Sequence, residues 1–295
     1  MTASRSVPSW LDSTEYPFES RFFETSHGEM HYVDEGQGDV ILFVHGNPTW
    51  SFEHRRLIKH LRTKFRCIAP DHIGFGLSDK PYEVSYLPQF HAENLTRFID
   101  ALGLKNITLV VHDWGGPIGM SYALDHPDNI KRIIAYNSWF WSVKGIKTLE
   151  RFSGFMGGPV GRFLCRNFNF FPRVLIPQSV GNRKKLSTSA HQHFINAFPT
   201  PRSRKGTWVF PGAIIGQSEW LETLWAKRGA LKETPVLLLW GLKDVAFTAD
   251  LLGRWEHTFP HHVTLKYSDI GHFVAEELGQ DAIPPVESFL ALQPE

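Results

Sequence analysis

The chain is most tightly constrained at Leu109-Val110-Val111-His112-Asp113-Trp114-Gly115-Gly116, where an apolar, β-branched run breaks into a carboxylate, an indole and two glycines. The run reads as a buried strand. The glycines after it allow a reversal into a helix within two residues, a turn that crowds its neighbours and tolerates only small side chains. Asp113 then stands at the tip of the turn, at a helix N-terminus. Backbone N–H groups and the helix dipole favour negative charge there, so a partly buried Asp113 is expected to stay ionised and available as a nucleophile. The simpler alternative is that Asp113 only caps the helix, because Asp is a favoured N-cap residue.

Around this stretch the chain alternates strand and helix. Apolar runs at 40–44, 65–70, 107–111, 130–136, 236–241 and 263–267 read as strands, and the continuously apolar ones belong in a sheet covered on both faces. Helical stretches are expected at 50–63, about 87–102, from the elbow to about 126, at 219–227, at about 248–258 and as one final helix. Segments 21–25 and 29–34 form a hairpin around His27-Gly28, and residues 1–19 an extended lead-in. The fold class expected is α/β, with a mostly parallel central sheet and helices on both faces.

The alternation stops at Asn137. Residues 139–216 read as short helical pieces cut by Gly157-Gly158-Pro159, Pro172, Pro177, Pro199-Thr200-Pro201 and Pro211-Gly212. They are expected to form a helical cap inserted into a core domain made of residues 1–138 and 217–295. Ten phenylalanines fall in this segment; most are expected to pack onto the core, and together they suit an apolar, uncharged substrate. Between 139 and 213 there are twelve basic residues and one acidic, Glu150, leaving 19 basic and 29 acidic elsewhere. A solvated surface is the simplest account, although a basic cap meeting an acidic body leaves a homo-oligomer open.

The net charge of +1 argues against nucleic acid as a partner. No run has the length of a membrane span, residues 1–13 hold no signal-like apolar stretch, and Cys67 and Cys165 read as reduced, buried thiols, so a cytoplasmic location is expected. His191, His193, His261 and His262 lack partners at metal-ligand spacing and are expected on the surface; neither metal nor cofactor is expected.

Asp113, Asp244 and His272 each follow the carboxyl end of an expected strand, where open α/β sheets form their ligand crevice. Nucleophile, acid, histidine is the chain order of α/β-hydrolases. His45-Gly46-Asn47-Pro48 falls where the oxyanion donors of that fold are expected. Together with His112-Asp113-Trp114-Gly115-Gly116, Trp240-Gly241-Leu242-Lys243-Asp244 and Gly271-His272-Phe273, it makes the whole chain resemble the haloalkane dehalogenases of the α/β-hydrolase superfamily. The resemblance implies an α/β-hydrolase fold, Asp113 as nucleophile, His272 as general base, and Asn47 and Trp114 as halide-binding residues. Asn137 stands where some members carry the acid after strand six, so the resemblance implies Asp244 as the triad acid, as in the branch that pairs Asn and Trp at the halide. Val111 departs from the usual small residue two before the nucleophile.

The residue types suit that chemistry. A carboxylate can displace halide from an sp³ carbon, and neutral indole and amide donors can take up the departing charge without neutralising the nucleophile. The implied partners are a small apolar halogenated substrate and its halide product, with no membrane involved. Trp139 and Trp141, at the start of the cap, are further halide donors or core residues. An epoxide hydrolase shares the Asp nucleophile but needs acidic donors from the cap, typically two tyrosines, and no tyrosine lies between Tyr136 and Tyr267. A haloacid dehalogenase of this fold would need Arg where Trp114 stands. A luciferase-like monooxygenase and a non-catalytic ligand-binding member are the remaining alternatives.

Overall fold

β1 (Arg21–Thr25) and β2 (Gly28–Glu35) form an antiparallel hairpin, with Gly28 at φ +121°, in the region that favours glycine. In this computed structural model, which describes residues 8–292, β2 pairs antiparallel with β4 (Arg66–Pro70). From β4 onward the sheet is parallel through β3 (Val40–Val44), β5 (Ile107–Asp113), β6 (Ile130–Ser138), β7 (Val236–Gly241) and β8 (His262–Tyr267). The strand order is β1-β2-β4-β3-β5-β6-β7-β8. Every residue of β3, β5 and β7 is buried. Successive strand side chains point to opposite faces, so both faces of the central sheet are covered.

The helix expected at 50–63 begins as a 3-10 turn, Ser51–His54, and becomes α-helical only in α1 (Arg55–Leu61). Contacts outside the helix hold its first residues: Ser51 N–H donates to Asp71 Oδ1 at 2.8 Å. α2 (Pro88–Ala101) and α3 (Gly115–Asp125) follow, and α3 packs against β3, β5 and β6. Between β6 and β7 no strand forms among the described residues. That span holds α4 (Lys147–Met156), α5 (Pro159–Phe168), α6 (Ile176–Ser179), α7 (Thr188–Asn196), α8 (Lys205–Gly216) and α9 (Ser218–Ala226). After α10 (Ala249–Thr258), the expected single final helix is two, α11 (Val274–Leu278) and α12 (Ile283–Ala291). Gly279 at φ +59° breaks the run, and Pro284 at the start of α12 lacks the N–H to continue it.

Two further expectations are corrected. His193 is buried, not on the surface: its ring stacks on Phe52 at 4.3 Å and its Nε2 accepts the Asp12 N–H at 3.0 Å. Residues 8–19 turn inward, burying Tyr16 and setting Trp10 edge-on to Trp50, whereas positions 1–7 of the expected lead-in lie outside the described residues. Among the ten phenylalanines of the helical segment, Phe155, Phe163 and Phe168 do not pack onto the core and are more than half exposed.

Candidate active site

β5 ends at Asp113, held at φ +49°, and α3 starts two residues later. The reversal brings α3 so close to β3 that a Cβ on Gly115 would lie 2.0 Å from the Val44 carbonyl oxygen. Val111 is accommodated because the small residue is on the other side of the contact: a Cβ on Gly119 would already lie 3.0 Å from Val111 Cγ1. The turn delivers Asp113 to the mouth of the sheet, facing the loops after β3, β7 and β8.

Those loops carry the other expected residues. Asn47 N–H donates to Asp113 Oδ1 at 2.7 Å, and the Trp114 N–H also supports the carboxylate. Asp113 Oδ2 lies 3.8 Å from His272 Nε2, and His272 Nδ1 lies 2.7 Å from Asp244 Oδ2. Asp244 is fixed in turn, its Oδ1 accepting the N–H groups of Ala246 and Phe247 at 2.8 and 3.1 Å. The structure thus brings Asp113, Asp244, His272, Asn47 and Trp114 together around one cavity of about 380 Å³.

Burial pushes the Asp113 carboxyl above its ordinary range, and His272, His112 and the N–H groups of Asn47 and Trp114 recover only part of that shift. Desolvation therefore outweighs the combined effect of these neighbours. Burial also opposes charge on His272, yet the carboxylates of Asp244, Asp113 and Glu53 prevail and raise its pKa to about 9. Asp244 is held low: burial works against its charge, but His272, Asn137 and the Ala246 N–H overcome it.

The cavity is lined by apolar side chains such as Leu149, Phe152, Phe171 and Ile176, and among the described residues no tyrosine, lysine or arginine lines it. Asn47 and Trp114 line it, and Asn47 Oδ1 is buried without a hydrogen-bond partner among the described residues. Trp139 also lines it, 4.7 Å from Trp114 by ring centroids, its buried Nε1 unpartnered among the described residues. Trp141 lies away from the cavity, against Phe140, Trp225 and Trp255.

Sequence reasoning missed what lies behind the site. Asn137 Nδ2 donates to Asp244 Oδ2 at 2.9 Å, and its Oδ1 accepts the Gly241 N–H at 2.8 Å, so this residue orients the acid. The His112 ring lies tilted 4.7 Å from that of His272, its Nε2 donating to the His272 carbonyl at 2.9 Å while its Nδ1 meets buried Glu53 at 3.2 Å. Glu53 stands in the mostly polar run Ser51-Phe52-Glu53-His54-Arg55, and no local pattern marks it as buried.

The sheet, the turn at Asp113 and the loops that meet there define an α/β hydrolase. The chain belongs to the α/β hydrolase fold family, whose model matches residues 39–277. Within it, the protein is a haloalkane dehalogenase-like hydrolase. It is 39% identical over 264 residues to haloalkane dehalogenase 2 of Mycobacterium tuberculosis, covering 89% of this chain and 91% of that one. It is also 33% identical to the cis-3-alkyl-4-alkyloxetan-2-one decarboxylase of Shewanella oneidensis, covering 93% of this chain and 89% of the relative. Among solved structures, the haloalkane dehalogenase DbeA from Bradyrhizobium elkani superposes with a TM-score of 0.81 at 25% identity, over 93% of this chain and 99% of that one.

Proposed function

We propose that the protein hydrolyses carbon–halogen bonds of small apolar haloalkanes through an alkyl ester on Asp113. One observation carries the reading: the two Asp113 oxygens are unequal. Oδ1 accepts the Asn47 N–H at 2.7 Å, whereas Oδ2 faces His272 Nε2 at 3.8 Å, at the edge of an apolar cavity. Oδ2 attacks the halogen-bearing carbon, the C–O bond forms as the C–halogen bond breaks, and the electron pair leaves with the halide. The Trp114 indole and the Asn47 amide donate to the departing anion.

Ester formation removes the Asp113 charge, one of the carboxylates that keep the His272 pKa up. His272 then takes a proton from water, and the oxygen adds to the Asp113 carboxyl carbon. Charge gathers on Oδ1 beside the Asn47 and Trp114 N–H groups. Collapse breaks the ester C–O bond, releases the alcohol with the second water proton, and restores the carboxylate. The proton on His272 passes to solvent. In this reading Asp244 and Asn137 orient His272, and residues 139–216 cap a core of 1–138 and 217–295, excluding water from the displacement.

The absence of a tyrosine from the lining, among the described residues, supports dehalogenation over epoxide opening, which draws on such phenolic donors. The oxetanone relative favours a second reading, attack of the same carboxylate on a strained oxetan-2-one. Bromide release from 1-bromobutane and 1,2-dibromoethane, run beside His272→Ala with intact-protein mass spectrometry, decides between them. The wild type is expected to release bromide and the variant to gain the mass of one alkyl group. Neither bromide nor mass gain, with turnover of a dialkyl oxetan-2-one, would overturn the dehalogenase reading.

A further inference from the structure

We infer that the outer face of α4 and α5 docks on an anionic lipid surface. The two helices pack on α8 and turn their other side to solvent. That side carries Phe155, Val160, Phe163 and Phe168, each 54–57% exposed, and the rings of Phe163 and Phe168 meet edge to face at 5.8 Å. Phe155, Phe163 and Phe168 are all the exposed phenylalanines among the described residues, and they fall within fourteen positions. Exposed aromatics grouped in this way mark an interaction surface.

The charge around them selects the partner. From 144 to 173 there are six cations, Lys144, Lys147, Arg151, Arg162, Arg166 and Arg173, all exposed, against the single acid Glu150. None of the six forms an ion pair among the described residues. On α5 the cations Arg162 and Arg166 flank Val160 and Phe163 within the same two turns, the arrangement of an amphipathic helix lying in a bilayer interface. A second copy meeting this face with its own would oppose cation to cation. Nucleic acid would gain no polar reader from Val160 and the phenylalanines. Anionic lipid takes both the rings and the charge.

The attachment is peripheral, since among the described residues no helix is long and apolar enough to cross a membrane. It also has a use. α4 lines the cavity through Leu149 and Phe152 and reaches the surface one turn later at Phe155, so one helix joins the lipid-facing patch to the apolar cavity. Apolar substrates dissolved in the bilayer would be concentrated beside it.

Flotation of the full chain with vesicles of phosphatidylcholine, alone or with phosphatidylglycerol, tests the inference. The wild type is expected to float with the mixed vesicles at low ionic strength, not with phosphatidylcholine alone, and to release in high salt. Phe163→Ser/Phe168→Ser and Arg162→Glu/Arg166→Glu should each weaken binding by roughly tenfold or more. Both should keep the wild-type circular dichroism spectrum, which separates lost docking from lost folding. Absence of flotation with mixed vesicles, or equal flotation of wild type and both variants, would overturn it. So would light scattering in which the wild type is an oligomer that both variants dissociate while no vesicle binds. The readout is binding, so it stands or falls separately from the chemistry proposed for Asp113.

Discussion

His272 lies between two carboxylates, and its charge depends on both. Asp113→Asn removes one negative charge while keeping a side-chain oxygen for the Asn47 N–H, much as ester formation does. The His272 titration, followed by NMR, is expected to fall below the wild-type value of about 9; an unchanged value would detach ester formation from activation of the base. The stability effect has a definite sign. Because the folded pKa is raised above the ordinary 6.5, the stabilisation from charged His272 is full below 6.5 and is lost as pH rises through about 9. The difference in urea stability between wild type and His272→Gln should therefore shrink across that window. Asn137→Ala deletes the amide that holds Asp244 from behind. A hydrogen bond to a charged group is worth about 1.5–3 kcal/mol, so ester hydrolysis should slow by roughly ten- to a hundredfold, with halide release in the first turnover unchanged. Quench-flow separates the two steps. Asn137 itself is legible in sequence as a position without an acid; that its amide bridges β6 to Asp244 is not, because its partner lies 107 residues away.

At the scale of elements, the glycines around the turn divide into those that protect the fold and those that protect the site. A Cβ on Gly115 meets backbone, the Val44 carbonyl at 2.0 Å, which cannot yield without moving β3. Gly115→Ala is expected to abolish soluble expression. A Cβ on Gly46 instead meets the Asp113 side chain, 2.4 Å from Oδ1. Gly46→Ala should fold, with a melting temperature near that of wild type, and lose most of its halide release because the nucleophile is displaced; comparing the two readouts checks the distinction. Most elements are legible from local pattern: β1, β3 and β7 have the expected bounds, and β5 and β6 run only two residues further. The misses share a cause. The first turn before α1 and the split between α11 and α12 follow from side-chain contacts and from one left-handed glycine, neither of which leaves a period in the sequence.

Across the whole molecule, the segments around Glu15 and Glu276 are tied through the buried cation Arg55. Arg55 on α1 donates to Glu276 on α11 at 2.6 Å and to Glu15 at 2.8 Å, with Arg56 adding a second contact to Glu276. Removing one partner of a buried pair costs about 3–5 kcal/mol where the other charge is left alone; Arg56 still meets Glu276, so Arg55→Ala is expected at the low end, about 3 kcal/mol in urea unfolding. A loss within that of a surface substitution would show that water replaces the guanidinium. Taken alone, the sequence determined what depends on neighbours along the chain: the strand and helix periods, the sharp turn at Asp113, and the order of Asp113, Asp244 and His272 at strand ends. Folding decided everything that depends on distance through space and on the exclusion of water. It raised the Asp113 carboxyl by burial, set Glu53 and His112 behind His272, and left three phenylalanines in solvent among six cations that form no ion pair among the described residues. The physical reason is that desolvation and charge interaction vary with burial and separation, and a sequence encodes neither until distant segments have met.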